Sequence, residues 1–459
     1  MSTIGELEVR TVHNLAATLC AIAGMAVLAA AVSAVTTRPQ IGAQLPIVFV
    51  HGNGDSAALW QTTIWRFESN GYDPSLLFAV DLEHPTAPRE DSVPEENRSN
   101  TTEQAAQLAG VVARVLITTG RDRVVLVGNS RGGNTIRNYV KFGGGHAHTA
   151  IAILCGTSNH GIFTSDESLD SEWNARGRFV TRLNDGSEVH PGVRFVTLRS
   201  DRNDKYAQPR LPGTNGSPGG VGVPHDGPAL EGAENVVLDG LDHREVAYHP
   251  RAFREMYRVV TGTEPDTLSP MPEAGPRLDG MVSGFRNGAP TNLPLAEASV
   301  TVYTVDRETG ERLGPPVHRT TTGYDGRWGP FDASPEAYYE LVVEAAGYPI
   351  THLYRSPFLR SSRYVHVRLQ PIEERDAGTG AIVATTRPRG YYGHGRDTFT
   401  IDGEVPDGVA EGVPSTSWIT RHYPAQPSRS VRLVFNDERI TVRTFPAAEG
   451  HLVIGELHY

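Results

Sequence analysis

A serine between two glycines is the group in this sequence that could do nucleophilic chemistry. The pentapeptide Gly-Asn-Ser-Arg-Gly occupies positions 128–132, directly after the apolar run 124–127 and before a segment with helical spacing. A turn between a strand and a helix strains the serine, and the glycines leave room for close backbone approaches. The Ser130 hydroxyl then projects from the carboxyl edge of a sheet, where helix N-terminal amides face developing negative charge. The pattern predicts Ser130 as a nucleophile.

A serine hydroxyl needs a base, and the base needs an acid that orients it. His243 follows the sixth predicted strand, and Asp201 and Asp204 follow the fifth. We predict His243 as the general base. We predict Asp204 as its acid, because it lies far enough beyond the strand for the chain to turn back toward the histidine, and Asp201 is the alternative. His249, which precedes a proline, is predicted to start a helix rather than to act as the base.

The charge that develops on an attacked carbonyl needs hydrogen-bond donors. A His-Gly-Asn-Gly turn at 51–54 follows the first predicted strand, where a backbone N–H can point into the same crevice. We predict the backbone N–H groups of Asn53 and Arg131 as the two donors of an oxyanion hole, and a structural role for His51. Asp242, next to the predicted base, is expected to be a solvated loop charge.

The elements that must hold these groups alternate between strands and helices. Short continuous apolar runs are typical of strands buried on both faces, and apolar residues at helical spacing predict the helices. The predicted strands are 46–50, 76–80, 124–127, 150–154, 193–198 and 235–238, and the predicted helices are about 60–70, 101–118, the segment up to 140, and 250–260. This alternation predicts a mostly parallel sheet flanked by helices, in a domain at 41–263.

The rest of the chain has a different pattern. A proline-rich segment at 264–277 predicts an interdomain linker. Beyond it the apolar residues repeat with period two, and turn signals such as Asp325-Gly326 separate the runs. We therefore predict an all-β sandwich domain at 278–370 and a further β domain at 371–459.

The composition of the chain and its first residues exclude several classes of protein. The 459 residues are 39% hydrophobic and 21% charged, which excludes a disordered chain and a polytopic membrane protein. The formal charge of −11 argues against a nucleic-acid partner. Residues 1–34 hold an uncharged apolar run that ends in small residues, which predicts a cleaved signal peptide, with an uncleaved membrane anchor as the alternative. Cys155 is expected to be a buried strand residue rather than a catalytic thiol.

Together these motifs resemble the α/β-hydrolase superfamily, and within it the lipases and carboxylesterases. The resemblance is carried by Val-His-Gly at 50–52, the pentapeptide at 128–132, Asp204 and His243. The core resembles the small secreted bacterial lipases, and a hydrolase followed by β domains is similar to a tripartite archaeal lipase. The tail from 278 to 369 looks like the transthyretin-like or carboxypeptidase-regulatory β-sandwiches. One difference is Arg131, a large cation where lipases often have a smaller or neutral residue.

The resemblance implies a secreted serine hydrolase that cleaves carboxylic esters, small or polymeric, through an acyl-enzyme. One alternative is a polyester depolymerase whose β domains bind the polymer. Its candidate contacts are Tyr391, Tyr392, Trp418 and Tyr423, and packing in the core explains these four aromatic residues equally well. A second alternative is a non-catalytic cell-surface binding protein. No cofactor and no metal are implied, membrane association is expected only through an uncleaved N-terminal segment, and the sequence sets no oligomeric state. The insertion at 161–186 is open between a lid or substrate wall and a surface excursion.

Overall fold

The computed structural model describes residues 44–208, 223, 227, 229–376, 380–409 and 411–458. The predicted signal segment at 1–34 therefore lies outside the described residues. Within the ranges described, no helix combines the length and the apolar composition needed to cross a bilayer.

A parallel sheet forms the first part of the described chain. Its order is β2-β1-β3-β4-β5-β6, and every neighbouring pair is parallel. The strands are β1 (Ile47–Val50), β2 (Leu77–Val80), β3 (Val124–Asn129), β4 (Thr149–Cys155), β5 (Arg194–Ser200) and β6 (Glu234–Leu238). The helices are α1 (Gln61–Ser69), α2 (Thr101–Thr119), α3 (Arg131–Phe142), α4 (Arg178–Asn184), α5 (Glu245–Tyr248) and α6 (Pro250–Thr261). Short 3₁₀ turns cover Ala57–Trp60, Pro74–Leu76 and Gly145–Ala147.

Both faces of this sheet are covered, which is why its strands are continuously apolar. Along β1, Ile47 and Phe49 join an apolar cluster with α1, α5 and α6, whereas Val48 and Val50 join a cluster with α2 and α3. Successive side chains of a strand point to opposite faces, so a strand between two helical layers has no polar side. The prediction of a parallel sheet between two helical layers is confirmed.

The remainder of the chain is mostly β structure. Its strands are β7 (Arg277–Leu278), β8 (Val282–Ser283), β9 (Phe285–Arg286), β10 (Ala289–Pro290), β11 (Ser299–Val305), β12 (His318–Thr321), β13 (Phe331–Asp332), β14 (Tyr338–Glu344), β15 (Ile350–Arg355), β16 (Val367–Arg368), β17 (Ala381–Thr386), β18 (Phe399–Ile401), β19 (Trp418–Tyr423), β20 (Ser430–Phe435), β21 (Glu438–Arg443) and β22 (His451–Glu456). Short 3₁₀ turns lie at Glu374–Asp376 and Ala447–Glu449. This all-β part agrees with the predicted fold class.

The largest β sheet crosses the boundary that we predicted near residue 370. Among the described residues its order is β12-β11-β14-β15-β22-β17-β19, and β15 pairs in parallel with β22 over Ile350–Arg355 and His451–Glu456. Strands from both sides of 370 therefore share one hydrogen-bonded sheet. A period-two pattern predicts strands but does not say which strands pair, because pairing depends on partners far away along the chain.

The segment that we predicted as a linker at 264–277 is anchored to helix α1. The Nδ2 group of Asn70, the residue after α1, donates to the Thr267 carbonyl at 2.8 Å, and Arg66 Nε donates to the Leu268 carbonyl at 2.9 Å. From the same helix, Trp65 packs in the apolar core of the β region and donates from Nε1 to the Ser361 carbonyl at 2.9 Å. Helix α1 therefore joins the parallel sheet to the β region.

Candidate functional site

Ser130 occupies the sharp turn between β3 and α3. Its backbone has φ 52° and ψ −121°, in the region that L-residues rarely adopt, and its N–H donates to the Cys155 carbonyl at 2.8 Å. The glycines of the pentapeptide allow α3 to approach β1. A Cβ atom on Gly132 would lie 2.5 Å from the Val50 carbonyl oxygen, and one on Gly128 would lie 2.7 Å from the Gly132 backbone. The close packing of α3 against the sheet explains why both positions need glycine.

His243 and Asp204 meet at the carboxyl edge of the same sheet. Asp204 lies in the loop after β5 and His243 in the loop after β6, and His243 Nδ1 is 2.9 Å from Asp204 Oδ2. Both side chains are buried. The other carboxylate oxygen of Asp204 accepts from the Tyr206 N–H at 2.8 Å, and the Tyr206 ring meets the imidazole edge-on with centroids 4.6 Å apart. The imidazole is thus fixed in its orientation from two sides.

Asp201 has other partners. Its Oδ1 accepts from the Asn203 N–H at 3.0 Å, and its Oδ2 accepts from the Gly240 N–H at 3.0 Å. These bonds shape the loop after β5 and tie it to the loop after β6. The structure therefore brings Asp204 to the imidazole and leaves Asp201 in the loop.

Ser130 and His243 line one cavity of about 270 Å³. Its other walls come from the loop at 53–55, from the insertion after β4, and from Tyr206, Arg244 and Tyr391. The insertion contributes Ile162, Phe163 and Trp173. A cavity that combines apolar and aromatic walls with a hydroxyl and an imidazole has the form of a small-molecule site.

The two predicted oxyanion donors lie beside this cavity. Asn53 lines the cavity itself, and Arg131 is the first residue of α3, directly after Ser130. Within the described part of the chain, neither backbone N–H donates to another protein group. The Asn53 side chain points elsewhere, since its Oδ1 accepts from the Ala87 N–H at 2.8 Å. Within the described residues both amides therefore lack a protein acceptor, as the predicted role in an oxyanion hole requires.

The Arg131 side chain does not enter the cavity. It is buried and forms a two-point ion pair with Glu172, with Nε–Oε1 at 2.5 Å and Nη2–Oε2 at 2.8 Å. Its Nη1 also donates to the Pro85 carbonyl at 3.2 Å. Burial raises the pKa of Glu172, and the Arg131 charge opposes that rise. Since Glu172 precedes Trp173, this ion pair fixes the insertion as a wall of the cavity. The sequence did not reveal the Arg131–Glu172 ion pair, because the two residues lie on different elements.

Our expectation for Asp242 is wrong. Asp242 is fully buried, and its Oδ2 accepts from the Tyr391 N–H at 2.8 Å. Glu245 lies beside it and pairs with Arg387 at 2.6 Å and Arg396 at 2.9 Å. Burial, together with the Glu245 charge, raises the pKa of Asp242 to about 6. No local pattern in the sequence marks this cluster, because its cations lie more than 140 residues away in the β region.

The remaining predicted positions have structural partners. His51 is buried, with Nδ1 2.8 Å from the Gly52 carbonyl and Nε2 accepting from the Leu82 N–H at 3.1 Å. His249 caps α6, since its Nδ1 accepts from the Arg251 N–H at 3.1 Å. Cys155 is a buried free thiol at the end of β4, and burial raises its pKa. These three side chains hold the fold around the site.

The polymer-contact hypothesis named four aromatic residues. Tyr391 and Tyr392 are buried, and the Tyr392 ring stacks on Phe399 with centroids 3.8 Å apart. Trp418 and Tyr423 are only partly exposed. These four side chains do not form the exposed aromatic surface that a polymer would need.

A parallel sheet with a strained serine turn after its third strand defines the class of this protein. The first part of the chain therefore has the fold of the α/β hydrolases, and a C-terminal β region follows it. Residues 44–170 match the family model of class 2 lipases, and residues 276–372 match that of the lipase C-terminal domain. The chain therefore has a lipase-like core and a C-terminal domain, and the matches support an ester hydrolase.

Several solved structures are similar to part of this chain. Mature lipase BlEst2 of Bacillus licheniformis is 20% identical with a TM-score of 0.36, over 49% of this chain and 95% of that chain. Lipase B of Aspergillus fumigatus is 14% identical with a TM-score of 0.34, over 51% of this chain and 56% of that chain. The monoacylglycerol lipase of Paleococcus ferrophilus is 12% identical with a TM-score of 0.34, over 48% and 96%. No curated protein matches the sequence.

Proposed function

We propose that this protein is a secreted serine hydrolase that cleaves carboxylic ester bonds through Ser130, His243 and Asp204. One observation carries the proposal: the imidazole that is hydrogen-bonded to Asp204 at 2.9 Å lines the same cavity as the strained Ser130. A backbone at φ 52° is costly, and such strain is concentrated at functional sites. The class 2 lipase match supports the ester as the bond attacked.

The proposed reaction gives each of these groups a role. His243 takes the proton of Ser130 as the hydroxyl oxygen attacks the ester carbonyl, and Asp204 stabilises the imidazolium that forms. The backbone N–H groups of Asn53 and Arg131 bind the oxyanion, each contributing about 3 kcal/mol to the transition state. His243 then returns the proton to the leaving alcohol. Water then attacks the acyl-serine carbonyl while His243 takes a proton from it, and His243 returns that proton to Ser130 as the bond between Ser130 and the acyl group breaks and the acid is released.

The test is hydrolysis of p-nitrophenyl esters of increasing acyl length by the full chain and by Ser130→Ala. We expect turnover by the unmodified protein and a loss of about 10⁶-fold in kcat for the variant, with its thermal unfolding temperature retained. An unmodified protein that turns over none of these esters would end the proposal and favour the non-catalytic binding protein. Equal turnover by Ser130→Ala would exclude Ser130 as the nucleophile.

The depolymerase alternative differs in its substrate. It requires a surface that holds a polymer, and the aromatic residues named for that surface are buried or partly buried. The cavity of about 270 Å³ supports a small-molecule ester instead. Clearing of a polyhydroxyalkanoate film at a rate comparable with that of soluble esters would favour the depolymerase.

Export is the second part of the proposal. The uncharged run within residues 1–34 supports it, because an apolar segment followed by small residues is typical of a signal peptide. Expression of the full chain in a bacterial host, followed by N-terminal sequencing of the protein in the medium, tests it. We expect a mature N-terminus close to residue 35, whereas recovery of the intact chain in the membrane fraction would identify an anchor.

A further inference from the structure

The segment 387–397 of the β region reaches the candidate active site. It lies beyond both family matches, which end at residues 170 and 372. Within it, Tyr391 lines the cavity that holds Ser130 and His243. The β region thus supplies part of the wall of the site, whereas every predicted catalytic residue lies in the first part of the chain.

The backbone of Tyr391 is fixed on both sides. Its N–H donates to Asp242 Oδ2 at 2.8 Å, and its carbonyl accepts from Arg387 Nη1 at 2.7 Å and Arg396 Nη2 at 2.9 Å. Asp242 directly precedes His243 in the chain. The position of Tyr391 and the position of the loop that carries the imidazole are therefore set by the same buried charges.

The Tyr391 ring is also held at its faces. Lys205 Nζ lies 4.3 Å from the ring centroid and Arg244 Cζ lies 5.3 Å from it, within the range of cation–π contacts. Burial raises the pKa of Tyr391 well above its usual range, so the phenol is neutral wherever an esterase works. Tyr391 is therefore a rigid, uncharged, bulky side of the cavity.

The chemistry of the proposed reaction decides which part of an ester meets this side. The imidazole must return a proton to the leaving alcohol, so the alcohol oxygen lies within hydrogen-bond reach of His243. Tyr206 contacts the His243 ring. Lys205 directly precedes Tyr206 in the chain and Arg244 directly follows His243, and both cations contact the Tyr391 ring. Tyr391 therefore stands on the histidine side of the cavity, where the alcohol leaves.

We propose that Tyr391 determines specificity by limiting the size of the alcohol group of the ester. The inference rests on the proposed function, since it needs a leaving alcohol. It predicts a preference for esters of small alcohols that is independent of the preference for acyl length.

The test compares two ratios of kcat/KM in the full-length protein. The alcohol ratio compares octyl butanoate with methyl butanoate, and the acyl ratio compares methyl octanoate with methyl butanoate. We expect Tyr391→Ala to raise the alcohol ratio about tenfold, because a cavity opened by several carbons admits a longer chain. Tyr391→Trp should lower the same ratio, and the acyl ratio should stay within about twofold in both variants. Tyr324→Ala, at a fully exposed tyrosine, is the matched control and should change neither ratio.

Each outcome separates this inference from the proposed function. If the unmodified protein hydrolyses the esters and neither Tyr391→Ala nor Tyr391→Trp changes the alcohol ratio, the inference is overturned while the proposed function stands. A change in the acyl ratio alone would also overturn it. Failure of the unmodified protein to cleave any ester would overturn the function itself. If Tyr391→Ala lacks a cooperative thermal transition, Tyr391→Leu and Tyr391→Trp decide the question.

Discussion

At the residue scale, two aspartates that lie three positions apart in the loop after β5 have different hydrogen-bond partners. Asp204 accepts from the imidazole, whereas Asp201 accepts from the backbone N–H groups of Asn203 and Gly240. Both are carboxylates in one turn-rich segment, so composition does not distinguish them. The direction in which the loop turns decides which carboxylate faces His243.

This difference predicts unequal effects of two conservative substitutions. We expect Asp204→Asn to lower kcat for p-nitrophenyl butanoate by about 10⁴-fold, because an amide stabilises the wrong tautomer of the imidazole and carries no charge to oppose the imidazolium. Asp201→Asn keeps an acceptor in the loop and should stay within about tenfold of the unmodified protein. Steady-state kinetics of both variants checks the assignment, and a larger loss with Asp201→Asn would reverse it.

At the scale of the elements, His249 caps the N-terminus of helix α6 in place of one of the common capping residues. His249 Nδ1 accepts from the Arg251 N–H at 3.1 Å, which requires a neutral ring at that nitrogen. Burial lowers the pKa of His249 to about 4. The stability that this cap gives to α6 therefore depends on pH.

The neutral cap stabilises the folded protein at neutral pH and loses that effect in acid. The unfolded chain binds a proton at His249 below its ordinary pKa of about 6.5, and the folded chain does so only below about 4. The stability from the neutral cap is thus fully present above about pH 6.5 and is lost as the pH falls toward 4. After a discount for the partial exposure of the ring, we expect a loss of about 2 kcal/mol.

The variant His249→Asn isolates this effect, because asparagine is a good cap that does not titrate in this range. The difference in free energy of unfolding between the unmodified protein and the variant should shift by about 2 kcal/mol in favour of the variant between pH 7 and 4. Urea denaturation at several pH values measures it. His394→Asn, at an exposed histidine, should show no such shift, and a pH-independent difference for His249→Asn would contradict the prediction.

At the scale of the whole molecule, the β region holds both loops that flank the candidate site. Arg368 donates to the carbonyls of Gly54 at 2.6 Å and Asp55 at 2.9 Å, in the loop that follows β1. Arg387 and Arg396 bind Glu245, the first residue of α5, directly after the loop that carries the imidazole. The parallel sheet supplies the predicted catalytic residues, and the β region restrains the loops that carry them.

This arrangement predicts that the two parts unfold together. We expect Arg387→Met to lower the free energy of unfolding by about 3 kcal/mol, because Asp242 and Glu245 lose a buried cation. Urea transitions followed by far-UV circular dichroism and by esterase activity should coincide in the unmodified protein. The exposed arginine of β12 provides the control, and Arg319→Met should stay within about 0.5 kcal/mol. Separate transitions, or an unchanged stability for Arg387→Met, would show that the parts are independent.

The sequence by itself determined where the segments of the parallel strands lie along the chain, the position of the serine turn, and which histidine lines the same cavity as that serine. These depend on local patterns: continuous apolar runs mark strands between two helical layers, and the glycines at 128 and 132 are required wherever α3 packs this closely on β1. The same local rules do not determine which distant groups meet.

Only the tertiary structure decided that Asp242 is buried, that the Arg131 side chain binds the insertion, that one sheet crosses residue 370, and that Tyr391 lines the cavity. Each of these depends on partners on another element, up to about 150 residues away for Asp242 and Tyr391. The local sequence around a charged residue in a turn does not show whether its side chain faces water or a buried arginine. The energetic cost of burial, which forces such charges to pair, arises only when the chain has folded.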